Sequence, residues 1–553
     1  MLSSIQQVFR RAPKLTLGWY NLSVSLWLAL ALNIGFYRKL HELTPYQGIK
    51  SWLFLAASAA VVTAMYNVLL QLMQWRWNAK IVTLLLLFAG GLSAYFVNSL
   101  GVSITVDQVQ NAMQTDSQEV RDLFSVRLVL WAAVMVLLPM LFFGCLGIQP
   151  EKVSASLMKK GLHVLGSTVL IGLMLFVFYV DFAAVCREHR DLKGMISPQN
   201  TIASAVSYFH KKAPKENLPL LKYGEDAHQL VDVSKASKPK LMVLVVGETA
   251  RAESFFLNGY AKNTNPELSK LDTLNFSQVS SCGTATAVSV PCMFSGMPRK
   301  DYDEQLAGHR EGLLDIVQRA GYKVVWIDNN SGCKGVCSRI EQVKISQELK
   351  DKWCRLGGEC YDGILNDALN QYIANIPADD YTPRFIVLHQ MGSHGPAYYA
   401  RSAAPFQKFK PTCDTNAIQG CTQQALINTY DNSIVYTDHV LSAVIKTLQG
   451  NSKYKTGFWY LSDHGESTGE YGMYLHGAPY GMAPSQQTHV PMIMWFSADW
   501  KAAQPEQITC LEQQKSQELS QDNLFPSMLS LLDIQTQVID PENDMLNKCK
   551  GQI

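Results

Sequence analysis

Five apolar stretches of membrane-spanning length crowd the first 190 residues of this 553-residue chain: Leu17–Tyr37, Trp52–Met73, Ile81–Val102, Val126–Gly147 and Leu162–Ala184. A bilayer core takes about 20 apolar residues of helix to cross, so each is long enough. The first is too long for the apolar region of a cleaved leader, lacks a small-residue cleavage site and is followed by four more. It is therefore read as retained. Flanking cations set the orientation. Arg10, Arg11, Lys14, Arg76, Lys80, Lys152, Lys159 and Lys160 fall on the side assigned to cytoplasm, against Arg38, Lys39, Lys50, Arg121 and Arg127 opposite. With the N-terminus inside, an odd number of spans delivers everything after about residue 185 to the exterior.

The cysteines test that inference independently. Ten of the 12 lie in the C-terminal part: Cys282, Cys292, Cys333, Cys337, Cys354, Cys360, Cys413, Cys421, Cys510 and Cys549. An even count in an exported domain suits disulfides, and neighbours in sequence suggest five local bridges, with the connectivity open. A zinc ribbon from Cys333, Cys337, Cys354 and Cys360 is the competing and weaker reading. Cys145 and Cys186 stand at span ends and are expected to be unpaired. The net charge of +2, without a basic stripe, argues against nucleic acid as a partner.

Three regions follow: a five-helix membrane domain over 1–185, a juxtamembrane linker with an amphipathic helix over 186–239, and a catalytic domain over 240–553. In the linker, Val206–Phe209 is the part expected to lie in the membrane interface. Between the third and fourth spans, Asn111, Thr115 and Glu119 recur every four residues and share one helix face, which by itself reads as a solvated face.

The C-terminal region repeats one pattern. The apolar run Lys240–Val246 ends at Gly247-Glu248, and Tyr322–Ile327 ends at Asp328-Asn329-Asn330. Phe385–Leu388 runs into His389 and then Gly392-Ser393-His394, and Phe458–Leu461 ends at Ser462-Asp463-His464-Gly465. Continuous apolar runs of strand length mark strands buried on both faces, and intervening stretches such as Glu304–Ala320 carry helical periodicity. The alternation predicts a doubly wound, mostly parallel α/β/α sheet, whose ligands bind outside the carboxyl ends of the strands. Several strand ends each depositing Glu, Asn, His or Asp make one convergent site.

Glu248, Asp463 and His464 offer two carboxylates and an imidazole, a donor set suited to zinc and less to manganese. A nucleophile candidate stands in Ser280-Ser281-Cys282-Gly283-Thr284-Ala285-Thr286-Ala287, where a Gly-containing turn leads into an apolar segment able to open a helix. A helix N-terminus favours a phosphate's charge. The residues alone leave Thr284 and Thr286 undistinguished, as caps or nucleophiles. Lys334 suits a phosphate or an exposed loop. His389 reads as a core histidine, His476 and His489 as site or surface, and Arg251 as a structural ion-pair partner.

The strings Val246-Gly247-Glu248-Thr249-Ala250-Arg251, Cys282-Gly283-Thr284-Ala285-Thr286, Pro291-Cys292-Met293-Phe294-Ser295 and Ser462-Asp463-His464-Gly465-Glu466-Ser467 resemble those of the lipid A phosphoethanolamine transferases, a family within the alkaline phosphatase/sulfatase superfamily that includes the mobile colistin-resistance enzymes. The resemblance covers nearly the whole chain. It implies Thr286 as nucleophile and Glu248, Thr286, Asp463 and His464 as zinc ligands. Asn111, Thr115, Glu119, Asn330, Ser331, Lys334, His394 and His476 would bind substrate, and the cysteines would pair as 282/292, 333/337, 354/360, 413/421 and 510/549. It further implies phosphatidylethanolamine as donor, lipid A as acceptor, polymyxin resistance as outcome, and a monomer in a Gram-negative inner membrane with its catalytic domain in the periplasm.

Two rivals stand beside this reading: a different reaction on the same fold, as a sulfatase, a glycerol-phosphate polymerase or a transferase to core sugars, of which the sugar acceptor stays open, and a non-catalytic sensor. A sulfatase needs a Cys-x-Pro-x-Arg motif at its nucleophile, absent around Thr286. A non-catalytic sensor on the same fold would have lost at least one of Glu248, Thr286, Asp463 and His464.

Overall fold

The computed structural model describes residues 13–44, 48–115, 117–179, 182, 190–211, 218–230, 238–355 and 359–549. The chain divides into two compact units: Met1–Val109 with Phe124–His210, and Gln110–Leu123 with Lys211–Ile553.

The first unit is helical: α1 (Leu17–Leu30), α2 (Ile34–Leu43), α3 (Ile49–Met73), α4 (Ala79–Leu100), the start of α5 (Val106–Gln114), α7 (Val126–Cys145), α8 (Val153–Val177) and α9 (Gln199–Lys211). Between the two runs, α6 (Ser117–Leu123) belongs to the second unit. Helices α3, α4, α7 and α8 are each long and apolar enough to cross a membrane, and α1 with α2, bent by 55°, completes five if the pair is one span. The first apolar stretch is thus a broken helix. The break is built around Asn33, whose buried amide donates to Leu28 O and Ser197 O at 2.8 and 2.9 Å and accepts from Ser197 N at 2.8 Å. Backbone groups freed by a kink in an apolar medium need such partners. The last stretch begins earlier than hydropathy indicates, at Val153, because Lys160 points inward to Gln74 O and lies over the Trp75 ring. Asn21, Asn67 and Gln71 form a buried amide chain that reaches Ser167 and so joins α1, α3 and α8. Polar links of this kind hold helices together where lipid removes the hydrophobic drive. On α9, Ile202, Val206 and Phe209 present an exposed apolar stripe. Cys145 is free, and Cys186 lies outside the described residues.

The second unit is built on a seven-stranded sheet: β1 (Lys240–Gly247), β2 (Leu274–Phe276), β3 (Lys323–Asp328), β4 (Glu341–Gln342), β5 (Arg384–His389), β6 (Lys455–Ser462) and β7 (Met492–Phe496). Their spatial order is β2-β7-β6-β1-β5-β3-β4, all parallel except β7. Every residue of β1 and β5 is buried, as expected of strands covered on both faces. The stretch Glu304–Ala320 is two helices, Glu304–His309 and Leu313–Arg319, rather than one. The break falls at Gly312, where a side chain would meet Phe294 O at 2.7 Å, so the backbone must pass too closely for any other residue.

Five disulfides join Cys282–Cys292, Cys333–Cys337, Cys354–Cys360, Cys413–Cys421 and Cys510–Cys549, so the zinc ribbon does not form. The last closes the longest loop, a separation of 39 residues against 4 for Cys333–Cys337. Loop-closure entropy then predicts a loss of about 4 kcal/mol on replacing Cys510 and Cys549 by serine, and about 2 kcal/mol for Cys333 and Cys337. Denaturant unfolding of the two double variants checks the order; the reverse order would contradict it.

Candidate functional site

The parallel register brings the exits of four strands to one level. Ser462 pairs with Gly247, Val246 with His389, and His389 with Asp328, so β6, β1, β5 and β3 all end at the same edge. Glu248 follows β1, Asp463 and His464 follow β6, and Asn330 follows β3. The backbone is strained there: Thr249 adopts φ 54°, held by a 2.7 Å bond from Tyr430 Oη to its carbonyl. Gly392, at φ +54°, packs so closely that a Cβ would lie 2.4 Å from Glu248 O.

Thr286 opens α10 (Thr286–Ser295), and Ala285 before it contributes no side-chain cap. The Cys282–Cys292 disulfide ties the preceding loop to the second turn of this helix, and Gly283 N donates to Ser289 Oγ at 2.9 Å. The first turn is therefore fixed with its amides unclaimed by a side-chain cap, an arrangement that favours an anion. Thr286 Oγ1 lies 3.2 and 3.1 Å from the Glu248 carboxylate oxygens and 3.3 Å from His464 Nε2. Thr284, by contrast, donates its hydroxyl to Ala478 O at 2.6 Å. Geometry thus separates two threonines that spacing could not.

Glu248, Asp463 and His464 are fully buried, and their donor atoms converge. His464 Nε2 stands 3.4 Å from Glu248 Oε1 and 3.3 Å from Asp463 Oδ2. Corners of a tetrahedron with zinc-length arms of about 2.0 Å are about 3.3 Å apart, so the Thr286–Glu248, Thr286–His464, His464–Glu248 and His464–Asp463 separations fit neighbouring ligands of one zinc ion. Two further observations fit. Asp463 Oδ1 accepts from the amides of Thr249 and His464 at 3.2 and 2.7 Å, while the buried Oδ2 has no hydrogen-bond partner among the described residues. His464 Nδ1 lies 2.9 Å from Gly465 O; a carbonyl only accepts, so Nδ1 carries the proton and Nε2 presents its lone pair. Burial holds His464 down to about 4, hence neutral. Burial and the Asp463 charge push Glu248 up to about 7, and burial pushes Asp463 up to about 7. Two carboxylates in a dry site cannot both ionise without a cation.

Around this cluster, Asn330 Nδ2 donates to Glu248 Oε2 at 2.8 Å and to Gln390 O at 2.7 Å. Ser331 Oγ donates to Asn330 Oδ1, and Lys334 Nζ to Ser331 Oγ at 2.7 Å. The His476 ring lies 4.4 Å from that of His464 and 5.4 Å from that of His394, and the buried His394 Nδ1 has no partner among the described residues. Burial, then the His476 charge, hold His394 well below the usual histidine range.

Other candidates stand apart. His389 Nδ1 pairs with Asp328 at 2.9 Å, which suits its core reading, and His489 Nε2 donates to Ser277 O. Arg251 is a structural partner, bonded to Ser254, Thr468 and Glu470. Thr115 Oγ1 donates to Asn111 O, one turn back on its own helix. Among the described residues no hydrogen bond joins Asn111 or Thr115 to the cluster, and the Glu119 side chain lies outside the described residues. Sequence reasoning missed Gln521, whose amide donates to Ser462 O and Asp463 O at 2.7 Å and accepts from Cys282 N at 2.7 Å, tying the ligand strand end to the nucleophile loop. No local pattern marks it, since its partners lie far away in the chain.

Residues 240–534 match the family model for sulfatases, and residues 62–213 match the model "Phosphoethanolamine transferase EptA/EptB". The chain is 39% identical over 544 residues to phosphoethanolamine transferase EptA of Escherichia coli K12, covering 98% of each. It is 33% identical over 524 residues to phosphatidylethanolamine transferase Mcr-1 of Escherichia coli, covering 93% of this chain and 94% of that one. The solved structure of the integral membrane lipooligosaccharide phosphoethanolamine transferase EptA from Neisseria meningitidis superposes with a TM-score of 0.92 at 35% identity, covering 97% of this chain and 99% of that one. The chain belongs to the phosphoethanolamine transferases. Its fold is accordingly a helical membrane bundle joined to an alkaline phosphatase/sulfatase-like α/β/α domain.

For this transferase the buried carboxylates carry a measurable consequence. Because Glu248 and Asp463 rise to about 7 without metal, zinc entering among them at pH 7 displaces about one proton or more, and its affinity falls as pH drops below 7. Calorimetric titration of the metal-free protein in buffers of different ionisation enthalpy checks this. A binding heat independent of buffer would contradict it.

Proposed function

We propose that this transferase moves phosphoethanolamine from phosphatidylethanolamine to a phosphate of lipid A, through a covalent intermediate on Thr286. The observation that carries the reading is the Thr286 hydroxyl at the first turn of α10, within 3.3 Å of both Glu248 and His464. Glu248, Thr286, Asp463 and His464 would hold zinc, which when bound lowers the pKa of a coordinated hydroxyl and offsets charge on phosphate oxygens.

The residues of the chain divide the remaining work. Thr286 Oγ1 attacks phosphorus, the bond to the glycerol oxygen breaks, and diacylglycerol leaves with a proton. A phosphate oxygen of lipid A then attacks the same phosphorus, the bond from phosphorus to Thr286 Oγ1 breaks, and that oxygen takes up a proton to restore the hydroxyl. Amides of the first turn of α10, with Lys334 held by Ser331, stabilise charge on the phosphoryl oxygens in both steps. Asn330 fixes the Glu248 carboxylate, and His394 and His476 face the phosphoryl group. Asn111, Thr115 and Glu119 contribute to the donor seat.

Residues 1–185 would anchor the enzyme in the inner membrane of a Gram-negative cell, 186–239 form a juxtamembrane layer, and 240–553 work in the periplasm as part of a monomer. Tethering confines the site to the plane of two lipid substrates. Adding an ethanolamine cation lowers the negative surface charge, which weakens attraction of cationic polymyxins. Relatives named as phosphoethanolamine or phosphatidylethanolamine transferases, one of them for Kdo(2)-lipid A, support the transfer of this group to a lipid A-type acceptor.

Mass spectrometry of lipid A from cells expressing the wild type and Thr286→Ala tests it. Added phosphoethanolamine is expected only with the wild type. Unmodified lipid A in both would overturn the acceptor, and modification in the variant would overturn the nucleophile.

A further inference from the structure

Arg401 follows the short helical turn Tyr398–Ala400 and is almost fully buried, its side chain 3% exposed. Its three donor nitrogens serve three different parts of the chain. Nη2 donates to Asp122 Oδ2, Nη1 lies 3.0 Å from Glu359 Oε2, and Nε donates to His394 O at 2.8 Å. Asp122 sits in the last turn of α6, where the helix dipole disfavours an acid. Local preference does not explain an aspartate there; a buried guanidinium does. Burial lifts the Asp122 carboxyl, Arg401 pulls it down, and the neighbouring Glu359 adds to the lift.

The segment Gln110–Leu123 is interposed in sequence between two runs of the helical unit, yet packs with the sheet-containing one. It is tied at both ends: Gln110 Nε2 donates to Glu304 Oε1, and Asp122 meets Arg401. The same guanidinium that holds Asp122 also holds the carbonyl of His394, whose ring lies against His476.

We propose that Asp122 and Arg401 are a positioning pair, in which one guanidinium clasps α6 to the sheet-containing unit and fixes the His394 backbone, so that the segment carrying Asn111, Thr115 and Glu119 is set together with His394 as one donor-binding surface. The functional half of this inference rests on the reading above. Arg is required because a planar fork spans three acceptors in fixed directions, whereas a lysine ammonium is a single point of charge. Neither residue touches the reacting atoms; both act through what they hold.

The test uses the full-length protein in lipid, with Asp122→Ala, Asp122→Glu and Arg401→Lys compared by hydrogen exchange and by transfer kinetics from phosphatidylethanolamine. Asp122→Ala is expected to speed exchange selectively in 110–123 and around His394, and to raise KM roughly tenfold while kcat changes less. Asp122→Glu should recover most of both effects, and Arg401→Lys should resemble Asp122→Ala. Unchanged exchange in Asp122→Ala, or loosening that extends equally through β1 and β5, would overturn the clasp. Should the wild type transfer no phosphoethanolamine, the functional reading fails, and the exchange comparison still decides the clasp.

Discussion

Glu248 and Asp463 stand fully buried at the ends of adjacent parallel strands, and the site is organised around accommodating them together. An isolated carboxylate in such a place would cost several kcal/mol or take up a proton, and two cost more. The fold meets the cost in directed ways. Asp463 Oδ1 receives two amides, Glu248 receives Asn330 and Thr249, and His464 is kept neutral with its lone pair outward. What remains is one carboxylate oxygen without a hydrogen-bond partner among the described residues, facing converging donors. That residue of unsatisfied charge is what a divalent cation would answer.

Rigidity around this point follows from it. A nucleophile is useful only if its oxygen is held against the charged cluster, and Thr286 is held from two sides. The Cys282–Cys292 bridge joins the approaching loop to the helix, and Gln521 links Cys282 to the β6 exit that carries Asp463 and His464. The strain at Thr249 and the close approach at Gly392 belong to the same design. Strained backbone persists only where surrounding contacts over-determine it, and here the sheet supplies them.

How far the sequence discloses all this depends on the range of the interaction. Strand runs ending in polar residues reveal the site edge because a parallel sheet aligns its exits without side-chain help. Glu248, Asp463 and His464 were therefore legible together. Thr284 and Thr286 were not separable, since their difference is a bond to Ala478, nearly two hundred residues onward. The break in the first span was hidden because hydropathy does not register Asn33 bonding Ser197. Gln521, Asp122 and Arg401 left no trace for the same reason. Each is an ordinary polar residue locally, and becomes distinctive only through partners brought near by folding.

The placement of Gln110–Leu123 shows why sequence order and spatial allegiance can part company. By position it is a loop between two apolar helices, and a loop's default is a solvated, variable surface. Yet buried charge is expensive on a mere connector, and this connector carries Asp122 against a guanidinium that is itself buried. Removing the aspartate would leave Arg401 with one carboxylate fewer in a dry setting, so the segment and the unit it packs with are energetically committed to one another. A transferase whose two substrates are both lipids, as proposed, has reason for such a commitment. The donor seat proposed above draws on this segment, which is covalently continuous with the helices yet packs with the sheet-containing unit.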